Sequence, residues 1–287
     1  MTCEYYNPLK PTVNKKLPFF AYGTFKPGQL AYSRINDCVK NKCECEINYK
    51  MLMRDGVPLI TPTNDGSHFK TKGYLIYFTD ERAYKAYKII SNTHNKNLYK
   101  WEEIKVGETK ANVLMGVDSY SGSYSIRGNV GNYEGQNDPY FKNAIEVVEK
   151  ELNDVDKIED DIDIFFKLQM AYLLLWTVIE RYCSLKYNCK GIVDKWRELS
   201  NEDVFKDSFK EHVKSKRYVY SNDYLKKCKL YPGKSSISFY YYYTIRCNTV
   251  HRGKDGLIDN EIIKQSLKEL LEIFKEVLDK AFDDNFQ

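Results

Sequence analysis

The sequence predicts an α+β protein of two domains, a small β-barrel-like mixed domain followed by an all-α helical bundle. Three observations predict it. Short strand-like runs alternate with turn signals over residues 17–118, and helical spacing of apolar residues dominates after residue 139. Between them, residues 116–139 contain five glycines and many Ser and Asn residues, as linkers and long loops do. We therefore predict domains at 1–118 and 140–287, joined by a linker over 119–139.

The first domain opens with an apolar run that ends at Gly23 and is followed by the turn signal Pro27-Gly28. A strand that breaks into such a loop has backbone N–H groups that can face an anion. Many short strands with few helices favour a small mixed or closed sheet. The later strand-like runs and the one helical segment are 49–53, 56–60, 73–78, 104–106 and 111–115, and 81–90.

Three cysteines, Cys38, Cys43 and Cys45, lie close together in this domain. No second Cys pair or His pair follows at zinc-ligand spacing, so the cluster does not predict a metal site. The alternation of Cys and Glu up to Ile47 predicts a strand with its thiols on the buried face. We expect no metal and no cofactor.

The second domain has the helical spacing of a bundle. Its second predicted helix starts with acidic residues, which the helix dipole favours, and is apolar nearly all round from Met170 to Ile179. That segment is therefore predicted to be the central helix. The five predicted helices cover residues 144–152, 160–182, 201–213, 240–251 and 260–278.

The net charge of +4 conceals a local basic segment. Between Lys210 and Lys234 the chain has eight Lys and Arg residues against two acidic ones. This segment is either a solvated loop or a contact for RNA.

Composition also indicates a compartment. The eight cysteines do not form a disulfide framework in a chain of this length. The longest apolar run, Met170 to Ile179, is shorter than the ~20 residues of a membrane span. The N-terminus lacks a basic region followed by an apolar core. We therefore expect a cytoplasmic protein with no membrane partner.

The strongest candidates for catalytic residues are Arg246 and His251, with Asn248 between them and Gly253 just after. A permanent cation, an imidazole that titrates near neutrality and an amide suit phosphodiester chemistry without a metal. On a regular helix, positions 246 and 251 lie about 140° apart, so one chain does not easily direct both at one phosphate. Two copies related by a two-fold axis would complete such a site.

The residues around this motif each have two interpretations. Tyr240 to Tyr243 either supply stacking faces for unpaired bases or pack in the core. Glu180 either forms an ion pair with Arg246 or is exposed. The pair of Arg246 and His251 either catalyses a reaction or only holds the bundle or a dimer together.

The second domain resembles the HEPN domains over about residues 140–282. The resemblance rests on a long apolar helix that ends in Glu180-Arg181, and on Arg246-x-Asn248-x-x-His251-Arg-Gly before the last helix. It implies a metal-independent endoribonuclease that acts as a homodimer, as in toxin–antitoxin and antiviral defence systems, where an antitoxin or other defence protein is a partner. Other HEPN proteins keep the fold without chemistry, and this chain would then only dimerise or bind RNA.

The resemblance also implies roles for individual residues. His251 would move the proton of the ribose 2′-OH or protonate the leaving 5′-oxygen, Arg246 would stabilise the phosphoryl charge, and Asn248 would orient the imidazole. RNA would be cut to a 2′,3′-cyclic phosphate and a 5′-OH, and DNA would be spared. The supporting positions are Glu180, Tyr243 and Arg252.

The first domain resembles the γ-glutamylcyclotransferase-like (AIG2-like) family over about residues 17–118. Phe20-Ala-Tyr-Gly-Thr-Phe25 matches an opening Y-G-[TS]-L motif, and Gly73 to Tyr77 resembles a later G-x-L-Y strand. The resemblance implies a small β-barrel whose first loop holds a small γ-glutamyl-like ligand by backbone amides. The positions that would line this pocket are Tyr22, Gly23, Thr24, Phe25 and His94.

The catalytic glutamate of that family has no counterpart here. Counting back from Tyr99 places Thr93 or His94 at its position. A threonine cannot act as the base that moves the α-amino proton, whereas a histidine can. The domain is therefore predicted to be a ligand-binding or regulatory module. The alternative is a γ-glutamyl-amine cyclotransferase that uses an unrecognised base.

Overall fold

The computed structural model divides the chain into two compact units, Met1–Asp138 and Pro139–Phe286. With roughly 49% helix and 24% strand, the protein is a mixed α/β structure that contains a mixed sheet. The side chains of residues 54, 251 and 256–259 are not described. The structure describes residues 8–54, 56–62, 69–117, 131–188, 191–221, 226–251 and 256–282.

The described part of the first unit contains a five-stranded sheet, a hairpin and one helix. The sheet has the order β2-β5-β1-β7-β6, in which β1 is parallel to β7 and the other neighbours are antiparallel. β3 and β4 form the separate hairpin. Each predicted strand-like run overlaps one of these strands, and the predicted helix overlaps α1. The bounds are β1 Phe19–Ala21, β2 Val39–Ile47, β3 Tyr49–Arg54, β4 Val57–Pro62, β5 Thr71–Phe78, α1 Ala83–Thr93, β6 Tyr99–Val106 and β7 Thr109–Gly116.

The short strand β1 contributes to both faces of the sheet. Phe19 packs in one hydrophobic cluster with Tyr87 of α1, and Phe20 packs in a second cluster with Val113 of β7 and Met51 of β3. Successive side chains of a strand point to opposite faces. The helix α1 packs in the first cluster, and the β3–β4 hairpin contributes to both, with Leu52 and Leu59 in the first and Met51 and Ile60 in the second.

The prediction that the thiols of β2 face the core is confirmed for Cys45, which is half-buried and packs against the Phe20 cluster, and is wrong for Cys43, which is exposed. The reason is that β2 is an edge strand of the sheet, and most of its residues are exposed on both faces. Cys38, before the strand, is buried. Among the described residues, no three His, Cys, Asp or Glu side chains are placed to hold a metal ion.

The end of the predicted linker over 119–139 is packed onto the first unit. The buried Lys26 ammonium donates to Asn132 Oδ1 and to the Tyr133 carbonyl, both at 2.7 Å. Tyr133 is itself buried in the Phe20 cluster. A buried ammonium needs such acceptors because its desolvation is costly. The rest of the predicted linker lies outside the described residues.

The second unit is mostly helical, but the prediction of an all-α domain is wrong in one place. β8 and β9 form an antiparallel hairpin inside the basic segment. The helix α4 also has no counterpart in the sequence-based prediction. The bounds are α2 Asn143–Val155, α3 Asp161–Lys186, α4 Ile192–Asn201, α5 Asp203–His212, β8 Arg217–Tyr220, β9 Lys227–Leu230, α6 Ser235–His251 and α7 Gly256–Ala281.

The long helix α3 is the central helix, as predicted, and packs against α2 and α7. It begins where the sequence indicates, because Asp160 Oδ1 accepts hydrogen bonds from the backbone N–H groups of Ile162 (2.9 Å) and Asp163 (3.0 Å). By length and composition α3 is also able to cross a membrane, with 39% of its most apolar window buried. A core helix of a globular protein passes the same test.

A buried charged network ties the hairpin to the helices. Glu269 of α7 accepts a hydrogen bond from the Tyr242 hydroxyl of α6 at 2.9 Å and forms an ion pair with Arg217 of β8. The side chains of Arg217 and Glu269 are 15% and 8% exposed. Burial, and then the Glu269 carboxylate, raise the pKa of Tyr242 well above its ordinary value. The Tyr242 hydroxyl therefore stays protonated and remains a donor.

Candidate active site

The helix α6 is buried on most of its circumference, which places the motif at the edge of the core. Tyr241, Tyr242 and Ile245 are buried, whereas Tyr240 and Tyr243 are partly exposed. The two interpretations of the tyrosine run, core packing and base stacking, therefore apply to different residues. Two of the rings pack in the core, and two keep surface that is accessible to a ligand.

Arg246 lies on the partly exposed side of α6, close to Glu180 of α3. Its Nη2 atom is 3.7 Å from Oε1 of Glu180. A separation of this length is a loose ion pair rather than a bidentate one. Arg246 Nε is buried and has no hydrogen-bond partner among the described residues. Because Nε is buried, an anionic ligand would meet the guanidinium at its Nη atoms, of which Nη2 makes the loose contact with Glu180.

Tyr243 lies one turn before Arg246 and beside Cys247. Its ring packs edge-on against Trp176 of α3, with centroids 5.8 Å apart. Burial, and then the neighbouring Cys247 thiol, raise the pKa of Tyr243. The phenol is therefore protonated at neutral pH, where it is a hydrogen-bond donor next to the guanidinium.

Asn248 connects the motif to the hairpin. Its Nδ2 atom donates to the Tyr220 carbonyl of β8 at 2.9 Å. Its Oδ1 atom is buried and has no hydrogen-bond partner in the part of the chain that the structure describes. The amide is thus fixed by one contact and retains a free acceptor, which an imidazole N–H can use.

His251 is the last residue of α6, and its side chain lies outside the described residues, as does all of Arg252. α6 is continuous from Arg246 to His251. The two positions therefore lie about 140° apart around the helix axis. The structure places Arg246 beside Glu180, with Tyr243 on the same side of α6, whereas Asn248 lies about 160° around the axis against the hairpin and position 251 lies at the helix terminus.

Sequence reasoning missed three groups near this motif. Cys247 lies beside Tyr243, the Gln169 amide of α3 donates to the Thr249 carbonyl, and the Tyr220 carbonyl holds Asn248. The first is an i, i+4 pair on one helix, which follows from helical spacing. The second depends on how two helices pack and leaves no sequence signal. The third depends on a hairpin whose strands have only four residues each.

The loop after β1, in the other unit, is a tight turn. The Gly23 carbonyl accepts from the Lys26 backbone N–H at 2.9 Å, and the Thr24 carbonyl accepts from that of Ala31 at 3.0 Å. A Cβ atom at Gly23 would lie 2.8 Å from Cγ of Pro58 in β4. The glycine therefore allows the loop to approach the hairpin closely, which is the structural role that this motif has.

Tyr22 and Phe25, predicted to line one pocket, are both buried and belong to different hydrophobic clusters. The Tyr22 hydroxyl donates to the Leu114 carbonyl at 2.6 Å. Burial raises the pKa of Tyr22 far above its ordinary value. These contacts leave either side chain little surface for a ligand.

Neither candidate at the position of the missing glutamate is a strong base. The Thr93 hydroxyl donates to the Ile89 carbonyl at 2.7 Å. His94 packs edge-on against Tyr99, and its Nδ1 atom lies 2.8 Å from the Ile90 carbonyl, which assigns the proton to Nδ1. Burial, opposed by this hydrogen bond, lowers the pKa of His94 to about 4. Such an imidazole is neutral but weakly basic at pH 7.

We expect the His94 imidazole to titrate near pH 4 in NMR spectra, with a His94→Phe variant to assign its resonance. Because the folded-state pKa is below the ordinary value of 6.5, unfolding takes up a proton between these two pH values. The stability that neutral His94 contributes is therefore complete above pH 6.5 and is lost as pH falls, by at most about 1.4 kcal/mol per pH unit. A midpoint near 6.5 would contradict the buried environment of the ring.

No family model matches the chain, and no curated protein or solved structure gives a significant match. The HEPN and cyclotransferase-like resemblances therefore remain predictions that rest on the motifs quoted above. The described arrangement around Arg246 offers one cation, one phenol and the Glu180 carboxylate at a partly exposed surface, whereas the Asn248 acceptor is buried on another side of α6. The cation and the phenol can bind and stabilise an anion, and the residue type best suited to proton transfer near neutral pH is the histidine at the helix end.

Proposed function

We propose that this protein is a metal-independent endoribonuclease of HEPN type that works as a homodimer. The observation that carries the proposal is the environment of Arg246. Its guanidinium is partly exposed, faces Glu180 at 3.7 Å, and has a buried Nε without a partner among the described residues. An unpaired buried donor costs about 1–3 kcal/mol, so this environment favours a role for Arg246 beyond packing.

In the proposed reaction, one His251 imidazole takes the proton of a ribose 2′-OH. The O2′ atom then attacks phosphorus, the bond from phosphorus to O5′ breaks, and a second imidazole protonates O5′. Arg246 stabilises the charge on the phosphoryl oxygens, and the free Oδ1 of Asn248 accepts from the imidazole N–H. The products are a 2′,3′-cyclic phosphate and a 5′-OH end.

The second copy is proposed from the exposed side of α3. Ile162, Phe166 and Met170 are 54%, 54% and 60% exposed and succeed each other at four-residue spacing. At about 100° per residue, these positions and Glu180 fall within one sector of about 80°. A partner that covers this apolar side therefore also reaches the edge where Glu180 meets Arg246. This geometry favours a two-fold dimer with two copies of the motif at one site.

The variant Phe166→Glu/Met170→Glu is expected to be monomeric, because it places carboxylates in the proposed apolar interface. We expect dimer affinity to fall about 100-fold or more. Sedimentation velocity measures this shift. Val147→Glu is the matched control, since Val147 is 45% exposed and lies on a different helix, α2. An unchanged dimer in the double variant would exclude α3 as the interface.

The finer architecture is part of the same proposal. We propose that the second unit is a HEPN-like bundle with one inserted hairpin, and that the first is a barrel-like AIG2-like domain. Packing of the β3–β4 hairpin against the sheet supports the latter, as in the hydrogen bond from the Tyr99 hydroxyl to the Pro58 carbonyl at 2.8 Å. We assign the first unit a regulatory or ligand-binding role. The protein would act in the cytoplasm, in toxin–antitoxin or antiviral defence, with a neutralising partner.

The deciding experiment incubates the purified full chain with single-stranded RNA in EDTA and maps the product ends. We expect cleavage that leaves 2′,3′-cyclic phosphate and 5′-OH termini, with no cleavage of single-stranded DNA. A dimer that cuts no RNA would instead identify a non-catalytic dimerisation module. Expression of the wild type and of His251→Ala in a bacterial host gives a second readout, since only the wild type is expected to be toxic.

A further inference from the structure

The two faces of the hairpin β8–β9 carry different types of side chain. Val219, Cys228 and Leu230 are buried on its inner side. Its outer side is formed by two tyrosines and two lysines, because residues alternate between the faces of a strand. The register places Tyr218 opposite Lys229 and Tyr220 opposite Lys227.

The two outer tyrosines keep a large accessible surface. Tyr218 and Tyr220 are 50% and 43% exposed, with ring centroids 5.7 Å apart. Lys227 Nζ lies 3.5 Å from the Tyr218 centroid and 5.7 Å from that of Tyr220. The ammonium holds the rings in place through cation–π contacts. The result is an ordered pair of aromatic rings on a positively charged face.

The surrounding surface is basic. Of the eight Lys and Arg residues between 210 and 234, Arg217 is held in the buried ion pair with Glu269. Lys226 Nζ lies 5.6 Å from the Tyr240 ring, so the positive charge continues to the partly exposed start of the motif helix. In this segment the described residues include one acidic side chain, Glu211.

The hairpin is joined directly to the candidate catalytic helix. The Tyr220 carbonyl is the acceptor for Asn248 Nδ2 at 2.9 Å. Thr244 Oγ1 also contacts Cys228 Sγ at 3.1 Å. Thr244 and Asn248 both lie about 160° around α6 from Arg246, so the hairpin adjoins the side of the helix that is nearer to position 251.

We propose that the outer face of the hairpin, formed by Tyr218, Tyr220, Lys227 and Lys229, binds unpaired nucleotides of the substrate RNA. Bases stack on the two tyrosine rings, and phosphates contact the lysines. The outer face carries no aliphatic side chain that would enter a lipid layer, which disfavours a membrane as its partner. The identity of the strand as RNA rests on the proposed function, whereas the preference for unpaired bases rests on the hairpin alone.

The test measures fluorescence anisotropy of labelled oligouridine, about 12 nucleotides long to span one site. It uses the full chain with His251→Ala, in EDTA, so that the probe stays intact. Tyr218→Ala and Tyr220→Ala are each expected to weaken binding about fivefold or more, the loss of one stacked base. Lys227→Gln/Lys229→Gln is expected to reduce the slope of log affinity against log salt by about 0.7 for each phosphate that is no longer neutralised. Tyr84→Ala is the matched control, because Tyr84 is 57% exposed and has Lys15 Nζ 5.7 Å from its ring.

Three outcomes would overturn this inference. They are equal binding by the tyrosine variants and the control, equal affinity for a duplex of the same length, and binding to phosphatidylserine vesicles without binding to oligouridine. The proposed function is judged separately, by cleavage with the native His251. If the tyrosines are needed for binding but no RNA is cleaved, the hairpin is a binding site and the nuclease function is excluded. If RNA is cleaved but binding does not depend on the tyrosines, the nuclease function is supported and the hairpin site is excluded.

Discussion

Replacing Glu269 with alanine is expected to destabilise the helical unit by about 3–5 kcal/mol, because it leaves the buried Arg217 guanidinium without its counter-ion. Glu269 also accepts the hydrogen bond of the Tyr242 hydroxyl, so the substitution leaves a second buried donor without an acceptor. Urea unfolding measures the effect. In a Trp101→Phe background, the remaining indoles, Trp176 and Trp196, are both in this unit, where their centroids are 4.1 Å apart.

The matched control is Glu272→Ala, one turn later on α7. Glu272 is exposed and lies 3.6 Å from Lys275, an exposed pair for which about 0–1 kcal/mol is expected. The variant Arg217→Met/Glu269→Leu should recover most of the lost stability, because no charge remains buried. Equal effects of Glu269→Ala and Glu272→Ala would show that the pair of Arg217 and Glu269 is hydrated and energetically unimportant.

The sequence predicted those elements whose local signals agree with their tertiary environment. α3 is the clearest case, since Asp160 caps its start and an apolar run fills its centre. The hairpin was missed because its strands have four residues each and lie among lysines, which resemble a solvated loop. The outward Cys43 was also missed, because the position of β2 at the sheet edge is a property of topology. The local sequence pattern indicates that side chains alternate between the two faces of a strand. It does not indicate which strands are paired with another strand on both sides.

The candidate site shows the same division. Arg246 and Glu180 were singled out from residue type and helix order, and the structure places them 3.7 Å apart. The acceptor of Asn248 and the Trp176 ring that packs on Tyr243 lie on other elements, at sequence separations that no local pattern encodes. In the first unit, the motif at Gly23 predicted a turn, but the burial of Tyr22 and Phe25 depends on packing from distant strands. The types and spacing of residues thus indicate candidate site residues, but whether these side chains are accessible depends on tertiary contacts.

Arg246→Ala is expected to lower the rate of RNA cleavage about 10²–10³-fold, as does loss of one donor to a developing oxyanion. His251→Ala is expected to cost about 10²–10⁴-fold, the contribution of one general acid–base group. Initial rates in EDTA under substrate saturation measure both effects. Arg197→Ala is the matched control, because Arg197 is an exposed arginine of α4 paired with Asp194. It is expected to retain full activity.

Residue 251 lies about 140° around α6 from residue 246, so we expect the site to need both chains and the two variants to complement each other when they are mixed. At the proposed site, which two copies share, a heterodimer of Arg246→Ala with His251→Ala retains one Arg246 and one His251, whereas each homodimeric variant lacks one of these residues altogether. Unfolding and refolding the two variants together should therefore restore part of the activity, above the level that either has alone. Phe166→Glu/Met170→Glu added to both variants should abolish this recovery, because it prevents the exchange of copies. Recovery in that monomeric background, or none in either background, would exclude a site shared between two chains.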